Sequence, residues 1–196
     1  MPPTRRRADA ERNTTAILDA AVACLVDDPQ ASTADIAARA GVGRVTLYGH
    51  FSTRTDLIDA VFARTLGHAE ETLGRLDLAG EPRAALSALI ASSWEIVNQS
   101  RALLAAAERE LPPERIRHHH DQPMDRVRAL IDRGRAEGAF RSDLPTEWLV
   151  AMFYLVVHGA AAEISAGRLA PADAAATITA TLLACYTAPG EAVPRP

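Results

Sequence analysis

Residues 32–56, STADIAARAGVGRVTLYGHFSTRTD, decide the fold. Two short helices are legible in them. Ser32 can cap the free N–H groups that open the first, and Asp35 follows three positions later, the spacing of a capping box. That helix ends at Gly41, where glycine most easily takes a left-handed backbone. The second takes up at Gly43 or Arg44 and runs to His50, and Phe51-Ser52-Thr53 breaks it. Ile36, Ala37, Ala40, Val42, Leu47 and Phe51 give the pair an inward face around the tight turn Gly41-Val42-Gly43. A short helix bracing a second one is the helix-turn-helix pattern, whose second helix can enter a major groove. The outward residues are then Arg44, Val45, Thr46, Tyr48, Gly49 and His50. Their guanidinium, hydroxyl, phenol and imidazole suit phosphates or base edges. A generic helical hairpin has the same spacing, so spacing alone leaves both readings open.

Working outward, residues 12–26 carry Ile17, Leu18, Ala21, Val22 and Leu25 on one helical stripe, which Asp27-Asp28-Pro29 stops. A fourth helix begins at Thr53, with Asp56 in capping-box spacing, and carries Leu57, Ile58, Val61, Phe62 and Leu66 on one side. Beyond Gly80, helices are expected from Pro82 to Asn98 and from Arg101 to Glu110. Another should run from Pro112-Pro113 to Gly138, with Pro123 as its candidate break. The last two should cover Trp148 to Ser165, the most apolar, and Pro171 to a stop before Pro189-Gly190. No stretch shows period-two alternation with β-branched enrichment, so the expectation is an all-α chain of about nine helices. The boundaries read as 1–52 for the helix-turn-helix domain, 53–190 for a second helical domain and 191–196 for a tail.

Charge is distributed unevenly. The net charge of −4 comes wholly from the part beyond residue 66, because residues 1–66 balance eight Arg against eight acids. Arg5, Arg6, Arg7 and Arg12 open the chain. A basic tract beside a neutral module and an acidic remainder suits a DNA reader joined to a domain that does not touch DNA. Cys24 and Cys185 stand far apart in apolar helical surroundings, outside any metal-ligand spacing, and read as small core residues. Acidic residues interrupt any secretory segment, and the apolar run from Trp148 to Ala162 is short for a bilayer, so a cytoplasmic, nucleoid-associated protein with no membrane partner is expected.

The run IAARAGVGRVTLYGHF at 36–51, preceded by AILDAA at 16–21 and followed by STRTDLI at 52–58, resembles the tetracycline-repressor (TetR) family. The resemblance covers roughly residues 12–62. It implies phosphate contact by Thr46, Tyr48 and the basic residue opening the fourth helix, here Arg54. Arg44 and its neighbours would face bases or backbone, and Ser32 would approach phosphate. Two positions depart from the pattern: Gly43 stands where a capping Ser is common, and Gly49 fills a slot that often holds a larger side chain. The loop at 27–31 is also short. The family further implies a divergent helical domain that binds a small molecule and dimerises through its last two helices, here 146–166 and 171–187.

On that basis Ile178, Leu182, Cys185 and Tyr186 are the expected dimer contacts, with an intramolecular core as the competing reading. Trp94, Asn98, Trp148, Phe153, Tyr154 and His158 are the candidate ligand contacts, each on an otherwise apolar helix, with ordinary core packing as the alternative. His118-His119-His120 invites a metal reading, but adjacent helical histidines diverge, so a solvated loop face is expected and no metal or other cofactor. No phosphate loop, nucleophile elbow or metal-ligand pair argues for an enzyme. The expectation is a regulator, most readily a homodimeric repressor released from a near-palindromic operator by a small, mostly apolar effector. An activator or ligand-independent regulator is the alternative within that class, and a helical enzyme or adaptor the remote one outside it.

Overall fold

A computed structural model describes the backbone of residues 3–193 and the side chains from Asp9 onward. The side chains of Arg5, Arg6 and Arg7, and tail residues 194–196, lie outside the described residues. Ten α-helices and no strand occur among the described residues. They are α1 (Pro3–Asp27), α2 (Thr33–Arg39), α3 (Arg44–His50), α4 (Arg54–Leu73), α5 (Pro82–Gln99), α6 (Arg101–Glu110), α7 (Pro113–His119), α8 (Asp121–Ala136), α9 (Thr146–Ser165) and α10 (Pro171–Tyr186). The extra helix arises because the stretch after Pro113 breaks at His120, not at Pro123. Pro123 falls in the first turn of α8, where its missing N–H deprives no carbonyl of a partner.

The chain divides into two compact units. The first takes in residues through His68 together with Ser100–His119, and the second Ala69–Gln99 together with residues from His120 onward. The sequence boundary at 52/53 falls inside the first unit. Its core joins Ile17, Ala21 and Leu25 of α1 to Ile36, Leu47, Leu57, Ile58 and Val61, with Leu103 and Ala107 of α6 packed against them. Cys24 is a free thiol in this core.

The second unit packs α5, α8, α9 and α10 around Leu86, Ile90, Trp94, Ile131, Leu149, Phe153, Val157, Ile178, Leu182 and Tyr186. Tyr186 is fully buried, and its hydroxyl donates to the Leu149 carbonyl at 2.8 Å. Gly134 on α8 lets the Phe140 ring lie directly on the helix backbone; an added Cβ would overlap that ring. Phe140 in turn meets Tyr186 edge-on, with centroids 5.7 Å apart. Gly134→Ala should therefore destabilise the protein, by roughly 1–3 kcal/mol of overpacking that outweighs the helix-propensity gain. A urea unfolding midpoint at or above wild type would contradict this.

Two expectations are corrected in this unit. Ile178, Leu182 and Tyr186 are 1%, 0% and 0% exposed within a single protomer, so they cannot meet a partner, and Cys185 is partly buried beside them. The large side chains of α10 turn inward on α9 and α5, and the small residues Ala176, Thr177, Thr181 and Ala184 face out. The second concerns α9. At 20 residues it is long and apolar enough by length and composition to cross a membrane, yet it packs in this unit through Leu149, Val150, Phe153, Val157, Ala160 and Ala161. Its opposite face is also apolar: Trp148 and Leu155 are about half exposed, with Met152, Gly159 and Ala162 along the same stripe.

Candidate nucleic-acid interface

Local chemistry sets the α2–α3 motif. Ser32 and Asp35 form the expected capping box, with the Asp35 amide donating to the Ser32 hydroxyl at 3.2 Å and the Ser32 amide donating to the Asp35 carboxylate at 2.9 Å. The Ser32 hydroxyl, which donates to the same carboxylate at 2.6 Å, and after it the Ser32 amide hold the Asp35 carboxyl below its ordinary value. At the other end Gly41 takes φ +68°, and the amides of Gly41 and Val42 donate to the carbonyls of Ala38 and Ala37, closing α2 as a Schellman turn. Gly43 then opens α3 from extended backbone without a side-chain cap, as its lack of a hydroxyl requires.

Leu47 is the anchor of α3, wholly buried against Ile36 and Ala37. With Leu47 inward, Arg44, Val45, Thr46, Tyr48 and Gly49 turn outward and are exposed. Val45 is 88% exposed, an unusual position for a large aliphatic side chain on a short helix. No atom approaches within 4 Å of where a Gly49 Cβ would stand, so the helix face is open there. Ser32 is exposed at the adjoining end of α2, its hydroxyl engaged by Asp35.

Three residues assigned to this face have partners inside the protein. The Tyr48 hydroxyl lies 3.1 Å from that of Thr33, and this bond, with Arg44 adding to it, pulls the phenol below its ordinary pKa. Tyr48 is still exposed, so it braces α3 on α2 and remains accessible from solvent. His50 is partly buried, with Nδ1 3.1 Å from the Thr14 hydroxyl of α1; the expected outward imidazole is corrected to a helix brace. Arg54 is likewise no free cation. Its Nε donates to Glu110 of α6 at 2.8 Å, and Nη1 donates to the Ala31 carbonyl.

A neighbouring cluster was not found from sequence. Asp59 of α4 accepts from Arg115 through both oxygens at 2.8 and 2.7 Å and meets His119 Nε2 at 2.7 Å, both partners on α7. Arg115, and after it His119, holds the Asp59 carboxyl down to about 2. His119 also stands edge-on to Phe62 at 5.6 Å. The expected solvated histidine face is therefore corrected: His118 is exposed, His119 is held by Asp59, and His120 is buried in the other unit. Spacing carries no signal for this, because the partner lies 60 residues away.

In the second unit, Tyr154 and His158 come together, as one helical turn on α9 dictates, and His120 joins them. Trp94 and Phe153 are buried core residues of the same unit, and Asn98 is partly buried. Trp148 is not part of that group; it lies on the outer face of α9.

The sequence model described as "Bacterial regulatory proteins, tetR family" matches residues 17–61. The chain is 37% identical over 95 residues to the HTH-type transcriptional repressor LfrR of Mycolicibacterium smegmatis, which spans 48% of this chain and about half (50%) of that repressor. It is 26% identical over 172 residues to the HTH-type transcriptional regulator NfxB of Pseudomonas aeruginosa, covering 83% of this chain and 88% of that one. Among solved structures, LfrR from Mycobacterium smegmatis in complex with proflavine superposes with a TM-score of 0.65 at 26% identity, over 88% of this chain and 94% of that one. The fatty acid degradation regulator FadR from Bacillus halodurans has the same fold, with a TM-score of 0.74 at 19% identity over 87% and 94%. The capped α2, the Gly41 turn and the outward face of α3 all fall inside the segment that matches the tetR family of bacterial regulatory proteins, and the helical architecture beyond that segment is similar to that of the solved LfrR.

Proposed function

We propose that the protein is a cytoplasmic transcriptional repressor that binds a near-palindromic operator as a homodimer and releases it when a small, mostly apolar effector binds the second unit. The observation that carries this reading is the α3 face. Arg44, Val45 and Thr46 stand exposed on a helix whose only buried residue is Leu47. An exposed Arg can bond a guanine edge through two hydrogen bonds, an exposed Val can pack on a thymine methyl, and Thr46 can meet phosphate or base. Tyr48 and Ser32 flank them toward the backbone, with Gly49 leaving room for close approach. Arg54 contributes field and braces α4, and its Glu110 partner limits it as a phosphate ligand.

A dimer supplies the second half-site. The outer faces of α9 and α10 support it: only 28% of the most apolar stretch of α9 is buried in the protomer, and the facing side of α10 is built of Ala and Thr. Small residues allow two such helix pairs to approach closely. The name of LfrR as a repressor and its complex with proflavine support repression and an aromatic effector. The effector shifts the dimer only by the difference between its affinities for the two states.

Selection of bound fragments from the organism's own genomic DNA tests the reading. The expected outcome is a short duplex with two related half-sites, bound by two chains and sensitive to salt. Enrichment of no sequence over random duplex would refute it.

A further inference from the structure

His120, Tyr154 and His158 bring three rings together within the second unit. His120 meets Tyr154 at a centroid distance of 5.0 Å and His158 at 4.9 Å, edge-on in both cases, while Tyr154 and His158 lie 4.3 Å apart and tilted by 33°. His120 is 5% exposed. Nδ1 of His158 is buried and makes no hydrogen bond, so its desolvation is offset by no partner. Burial, with His120 second, drives the His158 pKa down to about 3, and the imidazole is neutral at neutral pH.

We infer that His120, Tyr154 and His158 form the polar end of the effector site, and that the effector is a flat, uncharged aromatic molecule bearing a hydroxyl. The inference rests on the proposed control by a bound effector and names the chemistry of that ligand. A further flat ring can add to the cluster by the same stacked or edge-on contacts that the three rings make with one another. Surroundings that strip His158 of its proton also penalise a charged ligand, cation or anion. A hydroxyl both donates and accepts, so it satisfies Nδ1 in either tautomer of the imidazole. Trp94 and Phe153, buried in the same core, supply apolar neighbours.

Four probes of related shape test this on the full-length protein by titration calorimetry, with release of a bound duplex followed in parallel: 2-naphthol, naphthalene, 2-naphthoate and proflavine. The expected result is roughly tenfold tighter binding of 2-naphthol than of naphthalene, with the two charged probes weaker. His158→Phe should bind 2-naphthol and naphthalene alike, and His158→Gln, which keeps a donor and an acceptor, should restore the preference. The inference is overturned by equal binding of 2-naphthol and naphthalene to the wild type, or by an unchanged preference in His158→Phe. Duplex release by 2-naphthoate or proflavine without any preference for 2-naphthol sinks this inference and leaves the regulator standing. Failure to bind duplex at all sinks the regulator instead.

Discussion

Leu182→Asp is expected to leave no folded second unit, whereas Leu155→Asp should leave a folded monomer with greatly weakened operator binding. Leu182 is 0% exposed at the centre of the α5–α9–α10 packing. An unpaired carboxylate there adds the cost of a buried charge to the loss of the leucine, several kcal/mol against a total stability of about 5–15 kcal/mol. Leu155 is half exposed on the outer stripe of α9, where a carboxylate stays in water in the monomer. In the proposed dimer the same charge is buried against its own copy and repelled by it. Losing the tether between two half-site readers should weaken operator binding by about 10²–10⁴-fold, the usual gain from linked binding. Light scattering gives the mass and circular dichroism the fold. A Leu155→Asp protein that remains dimeric would move the interface off α9.

Acid should begin to destabilise the protein before its carboxylates titrate, through His158. The folded protein holds this group at about 3 against an ordinary 6.5. The unfolded chain therefore takes up a proton near pH 6.5 that the folded one refuses. The stability tied to the neutral imidazole is complete above that pH and is lost as pH falls toward 3. The slope is about 1.4 kcal/mol per pH unit, so moving from pH 6.5 to 4.5 should remove roughly 2–3 kcal/mol. Asp59, held down to about 2 by Arg115 and His119, acts in a lower window, between its ordinary 3.8 and 2. Urea unfolding at pH 7 and 4.5 separates the two. His158→Gln should flatten the loss above pH 4, and an identical loss in wild type and variant would show that other groups carry it.

The helix-turn-helix was legible because its signals are local. A hydroxyl and a carboxylate three residues apart, and a glycine at the one turn that needs φ +68°, fix α2, the turn and the start of α3 without help from the rest of the chain. Face assignment on α10 was not legible in the same way. Its periodicity shows one side with Ile178, Leu182 and Tyr186 and another with Ala and Thr, and either could have met a partner. Only the packing of α5 and α9 decides that the large residues turn inward. Arg54 and His50 illustrate the same limit for charge. Each looked free on its own helix, and each is taken by a residue distant in sequence, Glu110 in one case and Thr14 in the other. The break at His120 and the ring cluster it joins also depend on α9, which periodicity around Pro123 cannot report.

Whether the outer face of α3 reads duplex DNA is decided by comparing wild type with an Arg44→Ala, Thr46→Ala double variant. Both would be titrated with the selected operator and with random duplex over a salt gradient, after circular dichroism shows equal helix content. The wild type should prefer the operator by at least about 10³-fold. The variant should lose roughly 1–3 kcal/mol on the operator for Arg44 alone, relax its choice at one base pair, and show a salt slope shallower by about one unit if Arg44 also neutralises a phosphate. A folded double variant that binds the operator with wild-type affinity and an unchanged salt slope would contradict DNA reading by α3.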